Sequence, residues 1–378
     1  MTTSITLGRT PGRRQILAAL AALPVAACTS GVGQSGLIAT QSSSAPDPLA
    51  AYRLFADAGA EVWARHRPPA MSSSELTVLA ISGGGEDGAF GAGALAGWTA
   101  SGERPEFDIV TGISTGALIA PFAFLGSEHD DALRRIFTEH DASDIMTLQP
   151  IQALFGDAVY DTVPLAGLIK QFTPPALIKA IAARHAAGGR LFVVTSELDS
   201  ARASIWNMGL IAQSGNYDLF RAVLRASSAL PGLFSPVQIG YVSGGVTYTE
   251  THLDGGVHMQ FLAIPAFAFA AAKKPRPGGQ LFVLINNTLN PVPSATSRSA
   301  LGISQQALTT IGRASAASAV NATQLFAHEN GLGLAVTSID PASGIVYDPS
   351  DRFSSTYMNA LYRHGYNRGA ARNLWDTL

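Results

Sequence analysis

Apolar and polar positions along the chain predict strands and helices in alternation. Leu76-Thr77-Val78-Leu79-Ala80-Ile81 and Ile109-Val110-Thr111 are short, nearly unbroken apolar runs that end at glycine, the pattern of strands buried on both faces. Arg190 to Ser196, Ala203 to Met208, Gln280 to Asn286 and Gly333 to Ile339 read as further strands. Ala89 to Trp98 is rich in helix-compatible small residues. Asp130 to His140, Asp161 to Phe172, Pro174 to Ala187 and Tyr217 to Ala226 also carry helical patterns. Ala300 to Asn330 predicts one long alanine-rich helix, and Arg352 to Leu378 is expected to end in another. Val237 to Tyr241 and Val246 to Thr251 flank Ser243-Gly244-Gly245, which signals a hairpin. From Asp47-Pro48, a good N-cap and first-turn pair, Leu49, Tyr52, Ala56, Ala60 and Trp63 recur at helical spacing and predict an outer helix. The alternation points to the α/β class: one domain over 47–378, with a mostly parallel central sheet covered by helices on both faces.

Composition narrows the classes of function. Of 378 residues, 47% are hydrophobic and 14% charged, which indicates a large core and excludes a disordered chain. The net charge of −2 leaves no basic footprint for nucleic acid. A single cysteine excludes both an internal disulfide framework and a cysteine-rich metal site.

The candidate chemistry is concentrated at two strand ends. Ile109 to Ile113 runs into Gly112-Ile113-Ser114-Thr115-Gly116 and then into a small-residue helix pattern. Strand, tight turn and helix are what a nucleophile elbow requires, with Gly112 and Gly116 leaving room around the exposed Ser114. Upstream, the first strand passes into Ser82-Gly83-Gly84-Gly85-Glu86-Asp87-Gly88. Successive glycines present backbone N–H groups suited to an anion. Gly83, Gly84, Gly85 and Gly88 are therefore the candidate oxyanion hole, with Gly84 and Gly85 as donors. A nucleotide-phosphate loop is the competing reading, but the Gly-Lys-Ser/Thr ending is missing and the dinucleotide fingerprint is not met.

A serine hydroxyl needs a base to become a nucleophile. Asp254 is one candidate, because it follows a strand and precedes Gly255-Gly256, which would let the backbone turn close to the serine. His252 and His258 flank it, so a Ser-His-Asp triad is open, as is a metal site on His252, Asp254 and His258. That set lacks the helical His-Glu-x-x-His spacing. Glu250 is a further candidate base without a glycine turn. His140, His185, His328 and His364 read as structural or solvated.

Together these blocks resemble a known family. Gly83-Gly84-Gly85-x-x-Gly88, Gly112-x-Ser114-x-Gly116 and Asp254-Gly255-Gly256, with Ala226-Ser227-Ser228-Ala229-Leu230-Pro231-Gly232-Leu233-Phe234-Ser235-Pro236 ahead of the aspartate, are similar to the patatin-like phospholipases. These are lipid acyl hydrolases, and the blocks follow the family's order from Leu76 to Asn287. The resemblance implies a three-layer α/β fold and a Ser–Asp dyad without histidine, with Ser114 as nucleophile and Asp254 as base. It also implies a lipid acyl-ester substrate, with no metal or organic cofactor. Where the family usually has Arg or Lys this chain has Asp87. The backbone donors do not need that side chain, but a preference for anionic phospholipid headgroups does not carry over with it. Two rivals share the motifs: a small-ester or thioester hydrolase, and a catalytically silent lipid-binding envelope lipoprotein.

The first residues predict export. Arg9, Arg13 and Arg14 precede an apolar run from Ile16 to Val25, too short to span a bilayer, and then Ala26-Ala27-Cys28. Val25-Ala26-Ala27-Cys28 resembles a bacterial lipobox. Residues 1–27 are thus expected to be a lipoprotein-type signal peptide, Cys28 the lipidated residue, and 28–46 a Ser/Gly-rich tether. Arg13-Arg14 leaves a twin-arginine export signal open. The expected location is the periplasmic face of the envelope, with Thr29 favouring the outer membrane. Oligomeric state is not legible in the sequence.

Overall fold

The computed structural model describes residues 47–67, 76–148, 158–269, 279–292 and 299–377. The signal peptide, Cys28 and the tether lie outside the described residues. All the described residues fall within one compact unit, 44–378.

The strands, in chain order, are β1 (Arg53–Phe55), β2 (Thr77–Ile81), β3 (Ile109–Ile113), β4 (Thr147–Leu148), β5 (Ala158–Asp161), β6 (Arg190–Glu197) and β7 (Arg202–Asn207). After them come β8 (Gly232–Phe234), β9 (Val237–Ser243), β10 (Val246–Asp254), β11 (Gln280–Ile285), β12 (Gly333–Ser338) and β13 (Asp376–Thr377). A ten-stranded sheet runs β1-β7-β6-β3-β2-β11-β12-β13, and β10 joins it on β6 with β9 beside it. Its centre, β6-β3-β2-β11-β12, is parallel, while β1, β7, β10 and β13 pair antiparallel at the flanks. β4, β5 and β8 form a small separate sheet.

Alternation along each central strand divides the molecule into layers. In β2, Leu79 and Ile81 face a core that includes Phe90 and Leu95 of the helix Gly88–Ala100, and Val78 and Ala80 face the opposite way. There they meet residues of the helix Ala300–Asn330, among them Val320 and Ala327. Both faces of the sheet are thus covered by helices, as apolar strand runs without a polar face require. Among the described residues no helix is long and apolar enough to cross a membrane.

Two elements depart from the pattern read in the sequence. The outer helix expected from Leu49 to Trp63 is replaced by a short turn Pro48–Ala51, the strand β1 and the five-residue helix Ala60–Ala64. Sheet pairing wins there: β1 lies along β7, and Arg53 reaches across to a bidentate ion pair with Glu250. The C-terminal helix, Ser355–Ala370, is built into the core rather than added outside it, packed on the helix Gly88–Ala100 through glycines of both. A Cβ on Gly93 would lie 2.0 Å from the Tyr362 carbonyl oxygen, and one on Gly365 would lie 2.2 Å from that of Phe90. The hairpin forms as its sequence predicts, β9 pairing with β10 around Gly244 and Gly245, both at positive φ.

Candidate active site

Ser114 stands at the carboxyl end of β3, between that strand and the helix Thr115–Leu125. Its backbone takes φ 55° and ψ −126°, a region that L-residues rarely enter, so the elbow is strained by roughly 1–3 kcal/mol. The surroundings hold it there. A Cβ on Gly112 would lie 2.3 Å from the Gly116 carbonyl oxygen, and one on Gly116 would lie 2.4 Å from that of Ile81. Ser114 N–H donates to Ser227 Oγ at 3.0 Å, and Ser227 Oγ donates to the Val194 carbonyl at 2.7 Å. Ser228 Oγ lies 3.3 Å from the Ser114 carbonyl oxygen.

Asp254 ends β10, where that strand pairs with the carboxyl end of β6, the neighbour of β3. This register carries the carboxyl to the elbow, close enough for the Ser114 hydroxyl to favour its charged form. Gly256 N–H donates to Asp254 Oδ1 at 2.7 Å. Gly255 allows the close turn, since a Cβ there would lie 2.4 Å from the Val194 carbonyl oxygen. Asp254 is only 2% exposed. Burial pushes its carboxyl up to about 6, against the lowering effect of Ser114 and the Gly256 bond.

The glycine loop lies beside the serine, but its members differ in what they offer. Gly83 N–H already donates to the Gln260 carbonyl at 3.4 Å, and Gly88 N–H points to the Glu86 and Gly85 carbonyls. Those two positions supply room: a Cβ on Gly83 would touch Ser114 Cβ at 3.0 Å, and one on Gly88 would lie 2.1 Å from Thr115 Oγ1. Of the expected set Gly83, Gly84, Gly85 and Gly88, the N–H groups not turned to these backbone partners are those of Gly84 and Gly85. Gly84 is pressed against the Asn286 backbone, and Gly85 holds the loop at φ +60°.

Neither histidine is hydrogen-bonded to the serine. His252 is fully buried, with Nδ1 2.9 Å from Thr195 Oγ1 and Nε2 3.0 Å from Glu250 Oε2. His258 sets Nδ1 2.7 Å from Ser196 Oγ and Nε2 3.0 Å from the Ala201 carbonyl oxygen. Both rings are spent on other partners. Glu250 is held by Arg53 and His252; burial alone would raise its carboxyl, and those two partners together bring it below the usual carboxylate range. Its role is structural. Among the described residues no group of three or more His, Cys, Asp or Glu is placed to hold a metal ion, which removes the His252–Asp254–His258 alternative.

A cavity of about 100 Å³ opens at Ser114. Leu118, Phe122, Leu165, Ile169, Phe353 and Met358 are among its apolar wall, and Gly85 and Glu86 border it on the loop side. Asp87 turns instead to the C-terminal helix, where Tyr357 Oη donates to its Oδ1 at 2.6 Å. Ser227 and Ser228 as backbone clamps of the elbow, and Gln260 as the partner of the Gly83 N–H, were not foreseen as working residues. The serine pair stood inside a recognisable block, but hydroxyls serving a distant backbone have no spacing signal.

The model of the patatin-like phospholipase family matches residues 79–267, half of the chain. A solved structure, that of VipD from Legionella pneumophila, is similar at 12% identity and a TM-score of 0.39, over 79% of this chain and 66% of that one. The chain thus spans just under two thirds of that protein's length. No curated protein sequence matches.

Proposed function

Because this chain belongs to the patatin-like phospholipase family, we propose that it hydrolyses acyl esters of membrane lipids through Ser114 and Asp254. The observation that carries the reading is Ser114 on its strained elbow, beside a buried carboxyl and opening onto an apolar cavity. An acyl chain in that cavity would bring its ester carbonyl to Ser114 Oγ. As Oγ attacks the carbonyl carbon, its proton passes to Asp254, and Gly84 and Gly85 N–H groups receive the oxyanion. Collapse expels the alcohol, which takes the proton from Asp254. Water, deprotonated by Asp254, then attacks the acyl-enzyme, and the fatty acid leaves as Ser114 regains its proton. The raised carboxyl suits this task, since a base works best with a pKa near the working pH.

The test is a substrate panel on purified protein: long-chain phospholipid in mixed micelles, a short nitrophenyl ester, and a fluorophosphonate probe. The reading expects labelling mapped to Ser114, hydrolysis of the lipid, and loss of both in Ser114→Ala. Turnover of short esters alone would move the assignment to a small-ester hydrolase. A protein neither labelled nor active would be the silent lipid-binding form.

A further inference from the structure

The loop that borders Ser114 carries two acidic side chains in succession, and a distant part of the chain holds both. Glu86 is 3% exposed, and Arg352 Nη2 lies 3.3 Å from its Oε2. Tyr347 lies near as well, its hydroxyl pKa raised by burial and by the Glu86 charge. Asp87 is partly shielded as a residue, but its carboxyl is packed deep and accepts the 2.6 Å bond from Tyr357. Tyr347, Arg352 and Tyr357 come from one stretch beyond the region matched by the family model, which ends at 267. Both acidic side chains of the loop thus take partners from the C-terminal stretch.

We propose that Tyr357 and Arg352 are positioning residues for the oxyanion loop, and that the loop receives an oxyanion at full strength only while Asp87 is uncharged. The inference rests on the hydrolase reading of Ser114. Asp87 follows the donors Gly84 and Gly85 by two or three residues, so its carboxylate and a developing oxyanion would sit within about 10 Å. Two like charges that close, in a medium of effective dielectric about 20, cost on the order of tenfold in rate. A loop that must accept negative charge is thus better served by a neutral acid than by an ionised one.

Burial favours the neutral form of Asp87, while most of the groups that face it favour the charged one. Burial pushes its carboxyl up to about 7 and neighbouring Glu86 adds to the rise; the Tyr357 bond, Arg352 and Arg313 oppose it. Asp254, by contrast, must be ionised to take a proton, and its carboxyl sits at about 6. The competent form has Asp254 charged and Asp87 neutral. Its population rises as Asp254 ionises and falls as Asp87 does, so hydrolysis should follow a bell in pH whose acid limb belongs to Asp254 and whose alkaline limb belongs to Asp87.

The experiment is the pH profile of kcat on one soluble neutral ester, with pH-dependent fluorophosphonate labelling beside it, for wild type, Asp87→Asn and Tyr357→Phe. Asp87→Asn keeps an acceptor for Tyr357 and removes the charge. It should flatten the alkaline limb and raise the ratio of activity at high to low pH about tenfold. Tyr357→Phe removes a bond that favours the ionised form, so it should lower kcat and move the alkaline limb to higher pH. A loop held for folding alone would lose activity equally at every pH. An alkaline limb that persists in Asp87→Asn overturns the inference while a Ser114-dependent hydrolase stands. A wild type that neither turns over nor labels overturns both.

Discussion

Replacing Asp254 by Asn keeps the side chain's shape and removes both the basic oxygen and the buried charge, so it should act on catalysis and stability in opposite directions. The proposed base contributes typically 10²–10⁴-fold to turnover, and kcat should fall by about that much. The stability effect follows from burial. The folded protein holds the Asp254 carboxyl at about 6, against an ordinary value near 3.8. An acid raised in the folded state gives full stability below its unfolded pKa and loses it as pH rises through its folded one. The parent therefore weakens between about pH 4 and pH 6 by about 3 kcal/mol, and the Asn variant does not. Urea unfolding of both proteins near pH 4 and near pH 8 measures the difference directly. The variant should gain on its parent at the higher pH only, by up to that amount, because its amide must find partners where the carboxylate had them. A gap that is the same at both pH values, or an Asn variant with parental turnover, would refute the assignment of a buried, raised general base.

The other expectations are simpler. His258→Ala should lower kcat less than about tenfold, since its ring nitrogens face Ser196 and Ala201; a variant as inactive as Ser114→Ala would restore the triad. His252→Ala should leave Glu250 short of a buried partner and destabilise by about 1–3 kcal/mol in thermal or urea unfolding, with kcat of the folded fraction largely kept. Gly84→Ala would place a Cβ 2.0 Å from the Asn286 carbonyl oxygen, shift the donors, and lower ester turnover by roughly 10²–10³ while circular dichroism stays native. Cys28→Ser should abolish palmitate incorporation and release the protein from membranes, if Cys28 is the lipidated residue as its sequence context suggests.

The parallel centre of the sheet was legible because strands buried on both faces leave unbroken apolar runs, as β2 and β11 do. The hairpin was legible because two adjacent glycines at positive φ are hard to place elsewhere. The segment from Leu49 to Trp63 was not: its apolar spacing fits a helix, and only the pairing of β1 with β7 and the Arg53–Glu250 bond decide against one. At the site, Ser114 and Asp254 announced themselves through the glycines beside them, which the tight backbone approach demands. The division of labour within Gly83 to Gly88 did not, since it depends on which N–H groups are already occupied by Gln260 and by the loop itself. The links from Tyr357 and Arg352 to that loop span some seven tenths of the chain's length, beyond any periodicity.

The glycine contact between the helices Gly88–Ala100 and Ser355–Ala370 leaves the two backbones with no slack between them. A methyl group added at Gly93, Gly97, Gly365 or Gly369 would lie within 2.5 Å of the other helix's backbone, so it can be absorbed only by sliding one rod along or away from the other. The first residue of the inner rod is Gly88, itself fitted against Thr115 next to the nucleophile. Displacement at the far end of the pair is then transmitted to the serine instead of being dissipated in loose side chains. Small changes in the tail of the chain, including fusions that pull on it, should register as losses of chemical precision before they register as unfolding.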